Sequence, residues 1–459
     1  MQGLLKNWHP FFQRFIANKN HIALIENNQK YTYDHLLEQA IDISKNLQIP
    51  DQSILALIGD YSFMGIATFL ALIAKKCIIA PLLPNNFDHY LQSFGVEYLL
   101  QNGQITPYSK ANTSHSSLSL LNILKANHSS GLIIFSSGST GKPKAILHHL
   151  DAMLEVYKQK SFHPTNTAGV FLINHIAGID VLFNQFAIGG TLSIPTSRTP
   201  QAICELIQTH KVEILPASPS FLQLLLLSQS QNYYNLGSLK LVVYGSEPMP
   251  HSVLKNLKTA LPHVRFKQSF GTSETNAIKT KNSKTKEGFI QLDTSSTQYK
   301  IINNELWLKS KTQTLGYLNA DNCVFQDGWF CTGDKVETMI ENGEEYLKII
   351  GRTQEIINVG GEKVFPQEIE NIITQIEGIQ DCLVYGEPHI LTGQSISVAL
   401  VVDTHKLNPN DKLGLKKLIR DYCKNYLPNY KIPTKVVIQE HLNMSERFKR
   451  LRNHKINYK

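Results

Sequence analysis

The chain has 459 residues, 42% of them hydrophobic and 18% charged, with a net charge of +8. That length allows two or three domains with full hydrophobic cores, and the composition excludes a disordered chain. The positive charge is spread out and gives little weight to nucleic-acid binding; the basic end, "SERFKRLRNHKINYK", reads first as a solvated tail and second as the carrier of one functional cation.

The start, "MQGLLKNWHPFFQRF", has a helical period and lacks the basic and apolar regions of a signal peptide. From about residue 20 to 270, strand-like apolar runs alternate with amphipathic segments of helix length, the pattern of α/β layers. "SILALIG", a helix over 64–74 and "CIIAPL" come first; "GLIIF", "GVFLI", "GTLSI", "VEILPA" and "LKLVVYG" follow. From about residue 288 the texture is β-rich, and "QYKIINNELWLKS" predicts a hairpin turning at Asn303-Asn304. After "YLKIIGR" a second unit begins, with a helix opened by Pro366, strands "CLVYG" and "SISVALVV", a helix near 411–425 and the strand "KVVIQ".

Cys77, Cys204, Cys323, Cys331, Cys382 and Cys423 form no CxxC pair, so neither a disulfide framework nor a zinc site is expected and a reducing compartment fits. The most apolar stretch, "GIATFLALIAKKCIIAPL", is broken by Lys75 and Lys76 and reads as a core helix entering a buried strand. The expectation is a soluble, cytoplasmic protein.

The stretch "SSGSTGKPK", residues 136–144, follows the strand "GLIIF" directly. Its glycines and small hydroxyl residues leave backbone N–H groups free to face an anion. It fails the GxxxxGK[ST] pattern, because Ser136 stands five residues before Gly141 and Pro143 takes the place of the metal-binding hydroxyl. Pro143 also argues against a helix here, and "KAIL" reads as extended chain. A phosphate-binding loop and a Gly/Ser-rich surface turn both remain open on this loop alone.

Four further stretches follow in order: "YGSEPMP", "FGTSE", "WFCTGD" and "GRTQEIINVGGEKVFPQEIE". With the loop, they resemble the signature motifs of the adenylate-forming superfamily, which groups acyl- and aryl-CoA synthetases, nonribosomal peptide adenylation domains and luciferase. The resemblance spans nearly the whole chain. It implies an α/β fold: a large N-terminal domain of layered α/β sheets with a β-rich subdomain over 1–350, a hinge at 351–355, and a small mobile α+β domain over 356–459. It further implies that ATP activates a carboxylic acid, fatty or aryl, to an acyl adenylate with release of pyrophosphate. A thiol then displaces AMP, the thiol being CoA or the phosphopantetheine arm of an acyl carrier protein.

The same resemblance assigns residues. Ser136, Ser137, Gly138, Ser139, Thr140, Gly141 and Lys144 hold the β- and γ-phosphates, with Lys142 as a possible helper. Gly245, Ser246, Glu247 and Gln268 lie on the adenine side, Phe270 against the ring, and Gly271 in the turn that follows. Ser273, where relatives usually have Thr, meets the α-phosphate, and Glu274 binds Mg²⁺. Asp334 accepts the ribose hydroxyls and Arg352 donates to them. Lys449 bridges the attacking carboxylate and the α-phosphate, with Lys455 in reserve, since the usual Asn-Gly before that lysine is Arg447-Phe448 here. Gly360 and Gly361 line the pantetheine passage, Gln354 is the hinge residue, and Asn358 replaces a common Lys.

His175 matches a position beside the acyl pocket where amino-acid-activating members carry Asp, so an α-amino acid is not expected and Asp180 does not substitute. Ala177, Gly178 and Tyr244 are the expected pocket walls. His148 and His149 have no third ligand at useful spacing and read as structural. Because the lysine motif is degenerate, a catalytically reduced adenylate-binding protein is the second reading; a basic-tail nucleic-acid binder is the third.

Overall fold

A computed structural model describes residues 8–85, 87–108, 115–136 and 143–442. Two seven-stranded sheets sandwich the largest core. One runs, in spatial order, Arg265–Gln268, Leu241–Tyr244, Ile214–Ala217, Asn166–Ala168, Thr191–Ile194, Ile22–Glu26 and Gln29–Thr32, parallel until the last pair. The other runs Gly316–Tyr317, Lys144–His149, Gly131–Ser136, Ile78–Leu82, Ile54–Ile58, Tyr98–Gln101 and Gln104–Pro107. It is parallel in its middle and antiparallel at both ends.

The helices between them bury apolar faces that the sequence spaces at helical intervals. Phe11, Phe12, Phe15, Tyr33, Phe69, Phe183 and Phe186 form an aromatic cluster there, mostly edge-to-face at 5.0–6.2 Å. The helix Ile176–Ile188 is apolar nearly all round, as a helix held between layers must be. Thr32, Ser62, Thr199 and Ser218 cap their helices by accepting a backbone N–H from the third residue on, and Pro200 and Pro219 take first-turn positions where no N–H is needed. No helix among the described residues is long and apolar enough to cross a membrane.

The β-rich segment is an antiparallel sheet of Thr280–Asn282, Ile290–Leu292, Glu344–Arg352, Trp329–Glu341, Glu305–Ser310 and Thr297–Ile302, with Phe325–Gln326 at its side. Its hairpin turns at Asn303 and Asn304, both at positive φ (52° and 59°), where Asn is well tolerated. One expected strand is displaced. "GVFLI" is irregular, and the strand lies just before it at Asn166–Ala168. The apolar residues Val170 and Ile173 are buried as a loop packed under the sheet, which gives the run its strand-like look.

The strand Glu344–Arg352 ends in a single 3-10 turn, Thr353–Glu355. Beyond it a five-stranded sheet, Glu362–Val364, Ile357–Val359, Gly393–Val402, Ile379–His389 and Lys435–Ile438, packs on the helices Pro366–Ile373 and Lys412–Lys424 around its own core. A direct link joins this unit to the first: Gln223 Nε2, on the helix Pro219–Ser228, donates to the Gln380 carbonyl at 2.6 Å.

Candidate active site

The strands Gly131–Ser136 and Lys144–His149 pair antiparallel with Ser136 opposite Lys144, so the Gly/Ser-rich stretch connects two strands. Ser137, Gly138, Ser139, Thr140, Gly141 and Lys142 lie outside the described residues, and the extended chain expected after Pro143 is present. The base of this connection is clamped by Asn319, whose Nδ2 donates to the Pro143 carbonyl (2.8 Å) and whose Oδ1 accepts from Ala145 N–H (2.7 Å). The Lys144 ammonium sits 4.7 Å from the centroid of the Tyr317 ring, a cation–π distance.

Tyr317 also reaches the second motif. Its hydroxyl donates to Glu274 Oε1 at 2.8 Å, and Thr314 N–H donates to the Glu274 carbonyl at 2.7 Å. Burial, together with the nearby Glu274 charge, holds the phenol above its ordinary pKa, so it stays a donor. Glu274 lies in a turn organised by Thr272, whose Oγ1 accepts from the N–H groups of Glu274 and Thr275 at 3.2 and 3.1 Å. The Ser273 carbonyl is held by His148 Nε2 at 2.8 Å.

His148 is fully buried, and burial brings its pKa down to about 4. It is structural, as its neighbour His149 is: that side chain caps the helix Leu150–Lys158. Because the folded-state pKa lies below the ordinary 6.5, the unfolded chain takes up the proton first as pH falls. The stabilisation is intact above about pH 6.5 and is lost progressively toward about pH 4, amounting to roughly 3 kcal/mol at most. His148→Gln keeps a donor for Ser273 and should show a smaller fall in Tm between about pH 7.5 and about pH 5 than the wild type does. Equal falls would remove His148 as the acid-sensitive group.

Asp334 and Arg352 stand opposite each other on adjacent strands of the β-rich sheet, with Arg352 Nε 3.0 Å from Asp334 Oδ1. The Asp334 side chain is 5% exposed and that of Arg352 56%. Burial holds the Asp334 carboxyl above the ordinary carboxylate range despite the Arg352 charge, while Asp334 raises the guanidinium further. The Glu274 charge reaches both, so the Lys144–Tyr317–Glu274 group and the Asp334–Arg352 pair lie within electrostatic range of each other.

Among the residues expected on the adenine side, Gly245 and Gly271 are required by close backbone approach. A Cβ on Gly245 would meet the Ser269 carbonyl oxygen at 2.8 Å, and one on Gly271 the Asn276 carbonyl oxygen at 2.5 Å. Ser246 is exposed with φ 66°, and Glu247 Oε2 accepts from Ser220 Oγ at 2.8 Å. Gln268 ends its strand beside Tyr244, and Phe270 is half-buried against the β-rich core.

His175 is 7% exposed and caps the helix Ile176–Ile188, its Nδ1 accepting from Ala177 N–H at 3.3 Å. Gly178 faces away from open space: the site of a Cβ there is occupied by the Leu172 carbonyl oxygen, 2.0 Å away, and the Tyr61 hydroxyl donates to the Gly178 carbonyl. Tyr244 is buried in an apolar cluster. Gly360 and Gly361, at φ 60° and 92°, form the two-residue turn between Ile357–Val359 and Glu362–Val364. A Cβ on Gly361 would meet nothing within 4 Å, so backbone conformation, rather than crowding, selects glycine here. Gln354 is exposed in the 3-10 turn, and Lys449 and Lys455 lie outside the described residues.

Three residues were not legible as site residues from sequence: Thr314, Tyr317 and Asn319. The available signal was a Gly-Tyr pair and an Asn two positions on in "TLGYLN"; their partners are strands distant in the chain.

Two family models match, one described as AMP-binding enzyme over residues 98–318 and one as AMP-binding enzyme C-terminal domain over residues 368–449. A 2-succinylbenzoate–CoA ligase of Listeria monocytogenes serotype 4b (strain F2365) is 28% identical over 323 residues. That match covers 68% of this chain and 66% of the Listeria protein, just under two thirds of its length. The 2-succinylbenzoate–CoA ligase of Staphylococcus aureus (strain JH9) is 25% identical over 472 residues, covering 91% and 93%. Among solved structures, an anthranilate CoA ligase in complex with anthranoyl-AMP has a TM-score of 0.80 at 18% identity, covering 98% of this chain and 97% of that one. The o-succinylbenzoate CoA synthetase of Bacillus subtilis, with its acyl-adenylate intermediate, has a TM-score of 0.76 at 20% identity, covering 99% and 98%. The structures share the fold. The names are those of aryl-acid ligases and give no support to a fatty acid.

Proposed function

We propose, from the premise that this chain belongs to the AMP-binding enzymes, that it joins an aryl carboxylic acid to CoA. In the first half-reaction a carboxylate oxygen attacks the α-phosphorus of ATP, the bond to the β-phosphate oxygen breaks, and pyrophosphate leaves. In the second, the CoA sulfur attacks the acyl carbonyl carbon; the bond to AMP breaks and the thiol proton passes to solvent.

The observation that carries this reading is the junction of Lys144, Tyr317 and Glu274, with the Asp334–Arg352 pair within electrostatic reach of Glu274. Lys144 would bind the β- and γ-phosphates together with the Gly/Ser-rich stretch 136–141, whose residues 137–141 lie outside the described residues. Asp334 and Arg352 hold the ribose, a carboxylate and a forked cation suiting a diol. Glu274 Oε2 has no partner among the described residues and is a hard oxygen donor, which fits Mg²⁺ bound by one carboxylate and substrate phosphates. When bound, Mg²⁺ supplies charge neutralisation on the phosphate oxygens. Gly360 and Gly361 would sit beside the arm of CoA, and rotation of the residues beyond 355 would exchange the two half-reactions. A cytoplasmic location completes the reading, supported by six scattered cysteines suited to a reducing compartment.

CoA rather than a carrier protein is favoured because the relatives are named as CoA ligases. The test is hydroxamate trapping with ATP, Mg²⁺ and a panel of acids led by 2-succinylbenzoate and anthranilate, followed by CoA or a phosphopantetheinylated carrier. Hydroxamate from an aryl acid, and thioester with CoA, is the expected result. Hydroxamate with fatty acids alone, or thioester with the carrier alone, would correct it; neither ATP turnover nor trapping with any acid would sink it.

A further inference from the structure

We propose that Tyr317 is a positioning residue that keeps Lys144 and Glu274 apart and leaves each with its charge directed at ATP; this rests on the reaction proposed above. A lysine and a glutamate brought to one site pair with each other unless something intervenes, and a paired site offers less positive charge to phosphates and less negative charge to a metal. Here the phenol intervenes. Its ring lies under the Lys144 ammonium at 4.7 Å, and its hydroxyl donates to Glu274 Oε1 at 2.8 Å. Among the described residues the contact found for the Lys144 ammonium is the Tyr317 ring rather than a carboxylate, so its N–H donors stay available to an anion.

With Oε1 held, Glu274 presents one oxygen to a cation, as suits Mg²⁺, which keeps near-octahedral geometry and takes single carboxylate oxygens beside phosphates. Tyr317 is itself fixed. It is 4% exposed, its N–H donates to Asn322 Oδ1 at 2.7 Å, its ring meets Phe325 at 5.4 Å, and its strand pairs with Lys144–His149 at Ile146. The segment 314–319 therefore acts as a strap, bound at Glu274 by Thr314 and at the phosphate hairpin by Asn319.

Two variants of the full chain separate the roles. Tyr317→Phe keeps the ring beneath Lys144 and loses the hydroxyl; Tyr317→Ser loses both. Calorimetric titration of ATP, with and without Mg²⁺, should show Tyr317→Phe binding metal-free ATP like the wild type. Its half-saturating Mg²⁺ for tight ATP binding should rise about tenfold, the usual cost of losing a partner that orients a metal ligand. Tyr317→Ser should in addition bind metal-free ATP several-fold more weakly, because Lys144 then pairs with Glu274. Thermal unfolding of Tyr317→Phe at the wild-type Tm confirms that the effect is not a folding defect. An unchanged Mg²⁺ titration in Tyr317→Phe, or wild-type metal-free binding in Tyr317→Ser, overturns the inference. Absence of ATP binding by the wild type would instead remove the reading beneath it.

Discussion

Lys449→Ala should lower pyrophosphate release from ATP and acid by about 10²–10³-fold, the cost of removing one fixed charge-stabilising donor. Of the cations assigned to the site, Arg352 is committed to Asp334, and Lys144 lies on Tyr317 and is proposed to bind the leaving phosphates. Neither is assigned to the point where the carboxylate meets the α-phosphate, where two anionic groups must approach before any bond forms. A lysine there serves only the first half-reaction. Thioester formation from a chemically prepared adenylate should therefore stay within about threefold of the wild type, since no new charge of that kind develops. Lys455→Ala is the control: the larger loss in that variant would move the role to Lys455, and equal losses in both half-reactions for Lys449→Ala would deny it the role.

Asp334→Asn should weaken ATP binding about tenfold and Asp334→Ala about a hundredfold, measured as the KM for ATP in pyrophosphate release. Asn keeps one acceptor for the ribose and Ala keeps none. The buried carboxylate also gives this effect a pH signature. Its pKa is raised by burial, so the ionised form proposed to accept ribose hydroxyls is present above that raised value and is lost as pH falls through it. ATP affinity should thus decline on acidification earlier than an ordinary carboxylate would allow, and Asp334→Asn should flatten the decline. For folding alone the sign is opposite: a raised folded-state pKa stabilises at low pH and that contribution is lost as pH rises. Asp334→Asn should therefore raise Tm at neutral pH while weakening ATP binding. A variant that loses stability and affinity together would mark Asp334 as a structural ion pair instead.

Much of this was legible because it is local. The Asn303-Asn304 turn, the helix opened by Pro366 and the extended chain after Pro143 each follow from backbone preferences of a few neighbouring residues, and the structure shows all three. "GVFLI" misled because burial alone does not distinguish a strand from a packed loop. Tyr317 was hidden for a different reason. Its strand is two residues long, and its meaning comes from pairing with Lys144–His149 and touching Glu274, contacts that no local pattern encodes. The glycines at 360 and 361 were read as room for a thiol arm, and the backbone shows a turn that needs them with or without one.

The Gly/Ser-rich stretch lies between two antiparallel strands, and the chain continues from it as the strand Lys144–His149. A strand–loop–helix cradle would add the dipole of the helix to the binding of an anion, a contribution that mutation of single side chains leaves in place. Among the described residues a strand, not a helix, follows the stretch, so in the proposed reaction much of the electrostatic attraction for the leaving pyrophosphate would rest on ammonium groups. On the proposed roles, acylation of Lys144 should weaken the hold on the leaving pyrophosphate, and acylation of Lys142 as well would remove both ammonium groups of the stretch.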